Sequence, residues 1–344
     1  MKEKRISFLF IIFTITVLLT ACDAASDNTS NAPRTYTHFC FDTVFQLTFY
    51  SSYQEGEQNI ADTAFQMCDK YDQLFNKYNK ESELYRINSH PLTGAKVSEE
   101  TFELISDSRY YAGLTDGAFD ITISPVTDLW DINKNPHVPK KSKINKALKY
   151  VNYQDIILKN NRVKLSYPTQ SIDLGGIAKG YVADQLKDFL ESKQISSAII
   201  NLGGNILTIG NNQGEDFKIG IKKPFAQKDD EYSATIHIRD KSVVTSGIYE
   251  RYFEENNKIY HHILDPETGY PVENNLYSVT IISDRSEEGD ALSTATFVMG
   301  LEKGLSFVNQ SEGIEAVFIT KDYKLHLSDG LTINDKQEIH ITNE

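Results

Sequence analysis

The chain contains 344 residues, and its 48 acidic and 35 basic side chains give a net charge of −13 at pH 7. This acidic balance argues against a nucleic-acid partner and against a basic membrane-binding surface. Hydrophobic residues make up 40% of the chain, which at this length is enough for one large core or two smaller ones.

The N-terminus has the pattern of a secretory signal. Basic residues within positions 2–5 precede an apolar stretch over residues 6–19, and small residues lead into Cys22. These features predict a signal peptide over residues 1–21. The cysteine directly after the cleavage site predicts lipid attachment to Cys22, and hence a lipid-anchored protein at the extracytoplasmic face of the cell membrane. The alternative is a simple signal peptide, or an anchor, with an incidental cysteine.

The predicted mature chain begins with a polar segment. Residues 22–36 are small and polar, which is typical of a flexible tether, and residues 37–344 are expected to form the functional domain. Cys40 and Cys68 could pair in an exported protein, but no spacing rule requires it. The cysteines form no Cys-x-x-Cys motif or Cys/His cluster, so they give no support for a zinc site.

Hydrophobic periodicity predicts a mixture of helices and strands. In the first half we expect a strand at 43–50, helices at 57–78, 98–113 and 181–192, a hairpin from 155–158 and 163–165, and a strand at 197–201. The polar, Lys-rich residues 133–150 indicate a surface insertion. In the second half we expect strands at 207–209, 217–221, 234–238, 243–245, 277–282 and 316–319, helices at 290–299 and 303–310, and a terminal hairpin. This pattern predicts an α+β fold.

The most informative motif is the segment 171–184, with the sequence SIDLGGIAKGYVAD. A Gly-Gly pair before a predicted helix lets backbone N–H groups approach a ligand, and a lysine at the helix start suits a phosphate. Asp173 beside such a loop suggests a bound cation or a hydroxyl-rich ligand. The segment matches neither common nucleotide-binding loop. The alternative is an ordinary Gly-Gly turn.

Two further features suggest a site. Asp290 and Thr294 are four residues apart on a predicted helix and therefore share a face, where their oxygens would suit a hard cation such as Mg²⁺. The alternative is that Asp290 caps the helix beside a solvated threonine. His262, in the pair 261–262, could donate a hydrogen bond or act as an acid or base, although paired loop histidines are often structural.

Five ordered blocks carry a resemblance to a known family. They are residues 115–125 (TDGAFDITISP), 171–184, 201–205 (NLGGN), 261–269 (HHILDPETG) and 289–300 (GDALSTATFVMG). From the residues alone, the Asp-Gly turn at 116–117 is equally typical of a plain turn that enters a strand. In this combination the blocks resemble the ApbE family, the FAD:protein FMN transferases, over residues 37–320.

The resemblance implies a T-fold-like α+β architecture with mixed, largely antiparallel sheets, and it implies roles for individual residues. The residues expected to contact FAD are Phe41, Tyr78, Ala118, Phe119, Asp120, Asp173, Lys179, His262 and Leu264. The metal site would consist of Asp290, Thr294 and a backbone carbonyl near Gly176, and the catalytic residues would be Asp290, His262 and Lys179. This chain departs from the family at residues 41–43, where Phe-Asp-Thr replaces a Met-Gly-Thr-like turn.

The implied reaction transfers the FMN part of FAD to a threonine or serine hydroxyl of a target protein and releases AMP. Mg²⁺ or Mn²⁺ would assist, and Asp290 or His262 would accept the proton of the attacking hydroxyl. The expected acceptor is an exported or membrane-anchored electron-transfer protein. Two alternatives stay open: an FAD pyrophosphatase that gives FMN and AMP, and an FAD-binding lipoprotein without chemistry, against which the Asp290/Thr294 pair argues.

Overall fold

The computed structural model describes residues 32–228 and 231–342. The α-helices of these residues are α1 (Glu57–Phe75), α2 (Glu83–Ser89), α3 (Glu99–Leu114), α4 (Ser124–Trp130), α5 (Lys141–Ala147), α6 (Ala178–Ser192) and α7 (Ser286–Asn309). The strands are β1 (Arg34–Cys40), β2 (Thr43–Phe49), β3 (Ala95–Lys96), β4 (Ile156–Lys159), β5 (Arg162–Leu165), β6 (Ala198–Leu202), β7 (Asn205–Ile209), β8 (Phe217–Lys222), β9 (Tyr232–Ile238), β10 (Ser242–Gly247), β11 (Tyr252–Glu255), β12 (Lys258–His261), β13 (Leu276–Ser283), β14 (Glu315–Thr320), β15 (Leu325–Leu327), β16 (Leu331–Ile333) and β17 (Glu338–Ile341).

A large antiparallel sheet forms the centre of the molecule, with the strand order β1-β2-β6-β7-β10-β13-β14-β15. A four-stranded sheet has the order β16-β17-β9-β8, and its β17–β9 pair is parallel. A three-stranded sheet (β3-β5-β4) and the hairpin β11-β12 complete the strands of the described residues. The predicted α+β class with largely antiparallel sheets is confirmed.

The large sheet is buried on both faces. Helices α6 and α7 pack against one face, and α1 packs on α6. The four-stranded sheet covers the other face, where Ile236 and Ile339 join Val243 and Ile282 in a second hydrophobic core. Because both faces of the central strands are covered, their side chains need not alternate between polar and apolar.

A third, smaller core lies beside these layers. Trp130 at the end of α4 is fully buried with Ile144 and Ala147 of α5. Its indole Nε1 donates a hydrogen bond to the carbonyl oxygen of Gly269 at 2.8 Å, which anchors the loop that contains residues 261–269. The predicted surface insertion at 133–150 is therefore wrong in part, because its apolar positions pack into this core as a helix.

The N-terminal predictions fall largely outside the described residues, which include neither the predicted signal peptide nor Cys22. The last part of the predicted tether is wrong, because β1 begins at Arg34. The Arg34 guanidinium forms an ion pair with the fully buried Glu57 carboxylate at 2.7 Å, and Tyr36 donates a hydrogen bond to the same carboxylate at 2.8 Å. Cys40 and Cys68 are buried free thiols.

Three other local predictions differ from the structure. Residues 121–123, considered as the start of a strand, form a 3-10 helix because the Asp120 carboxylate accepts the N–H of Thr122. Helix α1 ends at Phe75, three residues before Tyr78. The two predicted helices at 290–299 and 303–310 are one interrupted element, broken at Gly300 where φ is 78°. No helix of the described residues combines the length and the apolar character needed to cross a membrane.

Candidate functional site

The first turns of α6 and α7 are tied together. The N–H of Gly180 in α6 donates to Asp290 Oδ2 in α7 at 3.0 Å. In return, the Asp184 carboxylate of α6 accepts the N–H groups of Ser286 and Glu287 at 2.8 and 3.0 Å, where a negative charge complements the start of α7. Each helix therefore holds the other, and Asp290 is fixed in position.

A group of oxygen atoms surrounds the Asp290 face of α7. Thr294 lies one turn further on, and its Oγ1 is 3.2 Å from Ser246 Oγ at the end of β10. The Gly176 backbone is close as well, because a Cβ built there would lie 3.8 Å from Thr294 Oγ1 and 3.3 Å from the Phe119 ring. The structure thus brings together the predicted metal residues and Phe119.

These oxygens fit a hard divalent cation. Asp290 is only 5% exposed, and its Oδ1 accepts no hydrogen bond from any described residue. A carboxylate oxygen, a hydroxyl and a backbone carbonyl are ligands that Mg²⁺ takes, usually together with waters and substrate phosphates. The donor set, which contains neither sulfur nor nitrogen, therefore fits the predicted metal.

An ion-pair network lies around the largely buried Lys77 side chain. Its ammonium group is 2.8 Å from Asp173 Oδ2 and 2.7 Å from Asp128 Oδ1. Burial alone would lower the pKa of Lys77, but the two carboxylates outweigh it and raise the pKa, so the lysine is charged. Asp173 also accepts the N–H of Gly175 at 2.9 Å, which shapes the glycine loop before α6.

Tyr78 presents an aromatic ring next to this network. The side chain is 61% exposed, and the ammonium groups of Lys77 and Lys134 lie 5.2 and 4.1 Å from its ring centroid. Burial of its remaining surface raises the pKa of the phenol. An exposed aromatic ring is suited to stacking on a flat heterocycle.

His262 is held as a neutral imidazole. Its Nδ1 is 3.2 Å from the Arg251 carbonyl oxygen, which can only accept, so Nδ1 carries the proton and Nε2 has a free lone pair. Burial, followed by the nearby Arg251 charge, lowers the pKa of His262 to about 3, and Lys179 contributes in the same direction. The positive charges of Arg251 and Lys179 therefore both favour the neutral form of His262.

His261 has a different position. It is buried, and its ring donates through Nε2 to the Val272 carbonyl at 3.1 Å. Burial lowers its pKa to about 4. The two adjacent histidines thus have different hydrogen-bond partners, Val272 for His261 and Arg251 for His262.

The turn between β6 and β7 reaches Lys179. The Lys179 ammonium group lies 3.4 Å from Asn205 Oδ1, and the buried Nδ2 of Asn205 finds no partner among the described residues. Gly203 has a φ of 64°, and a Cβ there would come within 2.6 Å of the Thr43 side chain. This close approach places the β1–β2 turn, with the half-buried Phe41, against the β6–β7 turn.

Several residues predicted to contact FAD pack against, or form hydrogen bonds with, other parts of the fold. Phe41 has a φ of 50° and stacks on Phe45 at 5.9 Å, and Ala118 packs against the main core. Both Asp120 oxygens are engaged, since Oδ1 accepts from Thr122 and Oδ2 accepts the N–H of Tyr153 at 2.9 Å.

Burial raises the pKa of Asp120. Leu264 is 7% exposed and packs in the Trp130 core. All of the predicted flavin contacts, including those of Phe41, Ala118, Asp120 and Leu264, stay predictions.

The sequence analysis did not identify four residues of this arrangement: Lys77, Asp184, Ser246 and Asn205. Lys77 is adjacent to Tyr78, and Asp184 and Asn205 end two of the quoted blocks, so their positions could have drawn attention. Ser246 has no such signal, because it comes near Thr294 only through the packing of β10 against α7.

Comparison with known proteins places these observations in a family. A sequence model of the ApbE family matches residues 41–318. The FAD:protein FMN transferase of Klebsiella pneumoniae is 40% identical over 279 residues, which is 79% of this chain and 85% of that protein. The one from Treponema pallidum is 30% identical over 310 residues, covering 84% of this chain and 85% of that protein.

Comparison with solved structures supports the same family assignment. The crystal structure of the ApbE protein of Thermotoga maritima superposes with a TM-score of 0.80 at 33% identity, covering 87% of this chain and 97% of that one. The flavin transferase ApbE of Vibrio cholerae has a TM-score of 0.76 at 26% identity, covering 87% of this chain and 97% of that one.

Proposed function

This chain belongs to the ApbE family and is an FAD:protein FMN transferase, and we propose that it attaches FMN to a threonine or serine hydroxyl of an acceptor protein with Mg²⁺ as its metal ion. The observation that carries the metal assignment is the convergence of Asp290, Thr294 and the Gly176 backbone at the α6–α7 crossing. The oxygen-only donor set supports Mg²⁺ over softer metals.

The reaction is a phosphoryl-type transfer between FAD and the acceptor. The acceptor hydroxyl oxygen forms a bond to the phosphorus on the riboflavin side of the pyrophosphate, the bond between that phosphorus and the AMP oxygen breaks, and AMP leaves. Such transfers depend on positioning and on neutralising charge at the phosphate oxygens. Bound Mg²⁺ supplies part of that neutralisation, and the Lys179 ammonium group supplies another part.

Three side chains orient the substrate or move the proton. Tyr78 offers its exposed ring to the isoalloxazine, and Lys77 holds Asp173 at the edge of the glycine loop. His262 would accept the hydroxyl proton at Nε2, because Nδ1 is committed to the Arg251 carbonyl, while Asp290 Oδ2 accepts the N–H of Gly180 and the other Asp290 oxygen would hold the metal. The negative pyrophosphate beside it would raise the pKa of His262 and make it a better base.

The test measures AMP release and acceptor mass together. The full-length protein is incubated with FAD, Mg²⁺ and a candidate acceptor, and one AMP is expected for each FMN found on threonine or serine by mass spectrometry. Asp290→Asn should lose Mg²⁺-dependent transfer by at least about a hundredfold, on the order of 3 kcal/mol of transition-state stabilisation. The matched control is Glu302→Gln, an exposed carboxylate on the same helix, which should retain activity.

The competing reactions are separate outcomes of the same experiment. AMP release at full rate without a change in acceptor mass, across several acceptors, would support the FAD pyrophosphatase. FAD binding without AMP release would support a non-catalytic flavin carrier.

We also propose that Cys22 carries a lipid that keeps the enzyme at the extracytoplasmic face of the cell membrane. The support is the basic start, the apolar stretch and the small residues before the cysteine. A lipid anchor would restrict the enzyme to exported or membrane-anchored acceptors, among which electron-transfer subunits use bound flavin. Cys22→Ala should remove lipid labelling and release the protein from the membrane fraction, and an unchanged, labelled protein would contradict the proposal.

A further inference from the structure

Two histidines and a glutamate meet on the outer face of the four-stranded sheet. Ile339 of β17 pairs with Ile236 of β9 in parallel register, and both are buried in the second core. Since side chains alternate along a strand, the neighbours His237, Glu338 and His340 lie on the opposite face. The parallel register sets His340 beside His237, with Glu338 two residues before His340 on the same face.

The three side chains are close enough to share one ion. One ligand atom from each of His237, Glu338 and His340 lies within 4.8 Å of the other two. The two imidazole rings are 4.4 Å apart between centroids, and His237 Nε2 is 3.8 Å from Glu338 Oε1. Ligand atoms around a tetrahedral metal with bonds of about 2.1 Å are separated by about 3.4 Å, so small side-chain rotations suffice.

One nitrogen atom of this cluster lacks a hydrogen-bond partner among the described residues. His237 Nε2 is buried and makes no hydrogen bond to any described residue. Buried polar nitrogens normally have a partner, because leaving one unsatisfied is costly. A metal ion bonded to this nitrogen would satisfy it.

We propose that His237, Glu338 and His340 bind one divalent transition-metal ion of the zinc class. Two imidazole nitrogens and one carboxylate oxygen are ligands for Zn²⁺ and its neighbours, while Mg²⁺ prefers oxygen alone. The donor set therefore separates this site chemically from the oxygen cluster around Asp290. The bound ion would leave at least one coordination position for water.

The ion would act as a clamp on the C-terminal strand. It bridges β9 and β17, whose parallel pairing covers only Glu338–Thr235 and Ile339–Ile236. Binding that requires the folded sheet stabilises it in proportion to the logarithm of metal concentration. The site is thus structural and is independent of flavin transfer.

Groups beside Glu338 would change the affinity of this site for the metal ion. Lys218 of β8 lies 3.8 Å from Glu338 Oε1, and Asn334 donates to Glu338 Oε2 at 2.9 Å. The lysine competes for the carboxylate and repels a cation. Replacing it with an uncharged side chain should therefore tighten metal binding.

The experiment measures Zn²⁺ binding to the full-length protein by calorimetry in the presence of saturating Mg²⁺. We expect one Zn²⁺ per chain with a dissociation constant at or below about 10 μM, and at least a tenfold loss in each of His237→Asn, His340→Asn and Glu338→Gln. His137→Asn, an exposed histidine elsewhere, is the matched control. Lys218→Met should bind Zn²⁺ more tightly than the unmodified protein.

Two additional measurements separate the site from folding and from catalysis. Since His340 is exposed, its asparagine variant should keep the native circular dichroism and the Mg²⁺-dependent flavin transfer while it loses the Zn²⁺-induced rise in Tm. Zn²⁺ binding should persist in Asp290→Asn. A dissociation constant above about 10 μM, or binding that the three ligand variants leave unchanged, would overturn the proposal.

Discussion

Gly180→Ala tests whether the α6–α7 crossing builds the metal site. A Cβ at this position would lie 2.3 Å from the Ser286 carbonyl oxygen and 2.6 Å from Glu287 Cα. Both atoms belong to backbone, so no side chain can rotate away. The first turn of α7 would have to move by about 1 Å to restore ordinary contact distances near 3.4 Å.

The expected change in the free energy of unfolding combines two destabilising contributions and one stabilising contribution. Overpacking costs about 1–3 kcal/mol, and weakening the Asp184 bonds to the start of α7 adds about 1 kcal/mol. Alanine regains about 1 kcal/mol through its helix propensity. The free energy of unfolding should therefore fall by about 2 kcal/mol, which for a chain of this size lowers Tm by about 3 °C.

The assay combines thermal unfolding with a Mg²⁺ titration of flavin transfer. The displaced Asp290 should raise the Mg²⁺ concentration for half-maximal activity at least tenfold. The matched control is Gly113→Ala in α3, where a Cβ would meet only Tyr153 Cε2 at 3.9 Å, so this variant should be as stable as the parent or more so. If both variants unfold at the same temperature with the same Mg²⁺ requirement, the close approach of the helices does not matter.

Three further changes should have distinct effects. Lys77→Met leaves two partly exposed carboxylates without their partner and should cost about 1 kcal/mol of unfolding free energy. It should also weaken FAD binding, whereas the exposed Lys80→Met should change neither quantity. Equal stability and FAD affinity would refute the role of the network. Tyr78→Ser should raise KM for FAD several-fold while the protein's Tm stays constant, and an unchanged KM would exclude stacking. Burial raises the pKa of the fully buried Glu287 to about 8 from an ordinary 4.5, so the folded state binds more protons than the unfolded state and the free energy of unfolding should fall by a few kcal/mol as pH rises from about 4.5 to 8. Denaturant unfolding across that range should show a weaker dependence of the free energy of unfolding on pH in Glu287→Gln. An identical pH dependence would contradict the assignment.

The elements of the fold that local periodicity could predict are those with one buried face. Helix α1 and strand β2 bury one side and were predicted within three residues of their observed ends. The 3-10 helix at 121–123 was missed because its apolar residues look like a strand, while the Asp120 side chain supplies a competing hydrogen bond to the backbone. The helix α5 was missed because its buried positions, Ile144 and Ala147, are few among lysines.

The residues of the site also differ in how far the sequence alone could identify them. The proposed metal ligands Asp290 and Thr294 could be recognised because they are one helical turn apart, and the resemblance to ApbE proteins added Gly176. Ser246 could not be predicted, since it lies 48 residues from Thr294 along the chain and meets it only through packing. The ion pair of Lys77 with Asp173 is likewise a product of the tertiary structure.

The central sheet imposes an order on folding. Strand β2 pairs with β6, from Phe45 with Leu202 to Phe49 with Ala198, so about 150 residues separate the partners along the chain. The β1–β2 hairpin is local and can form early, but its inner edge has no partner until β6 is available. An unpaired edge in that interval can pair with other chains. We therefore expect a slow phase of refolding, whose yield falls with protein concentration, in which this hairpin docks onto β6.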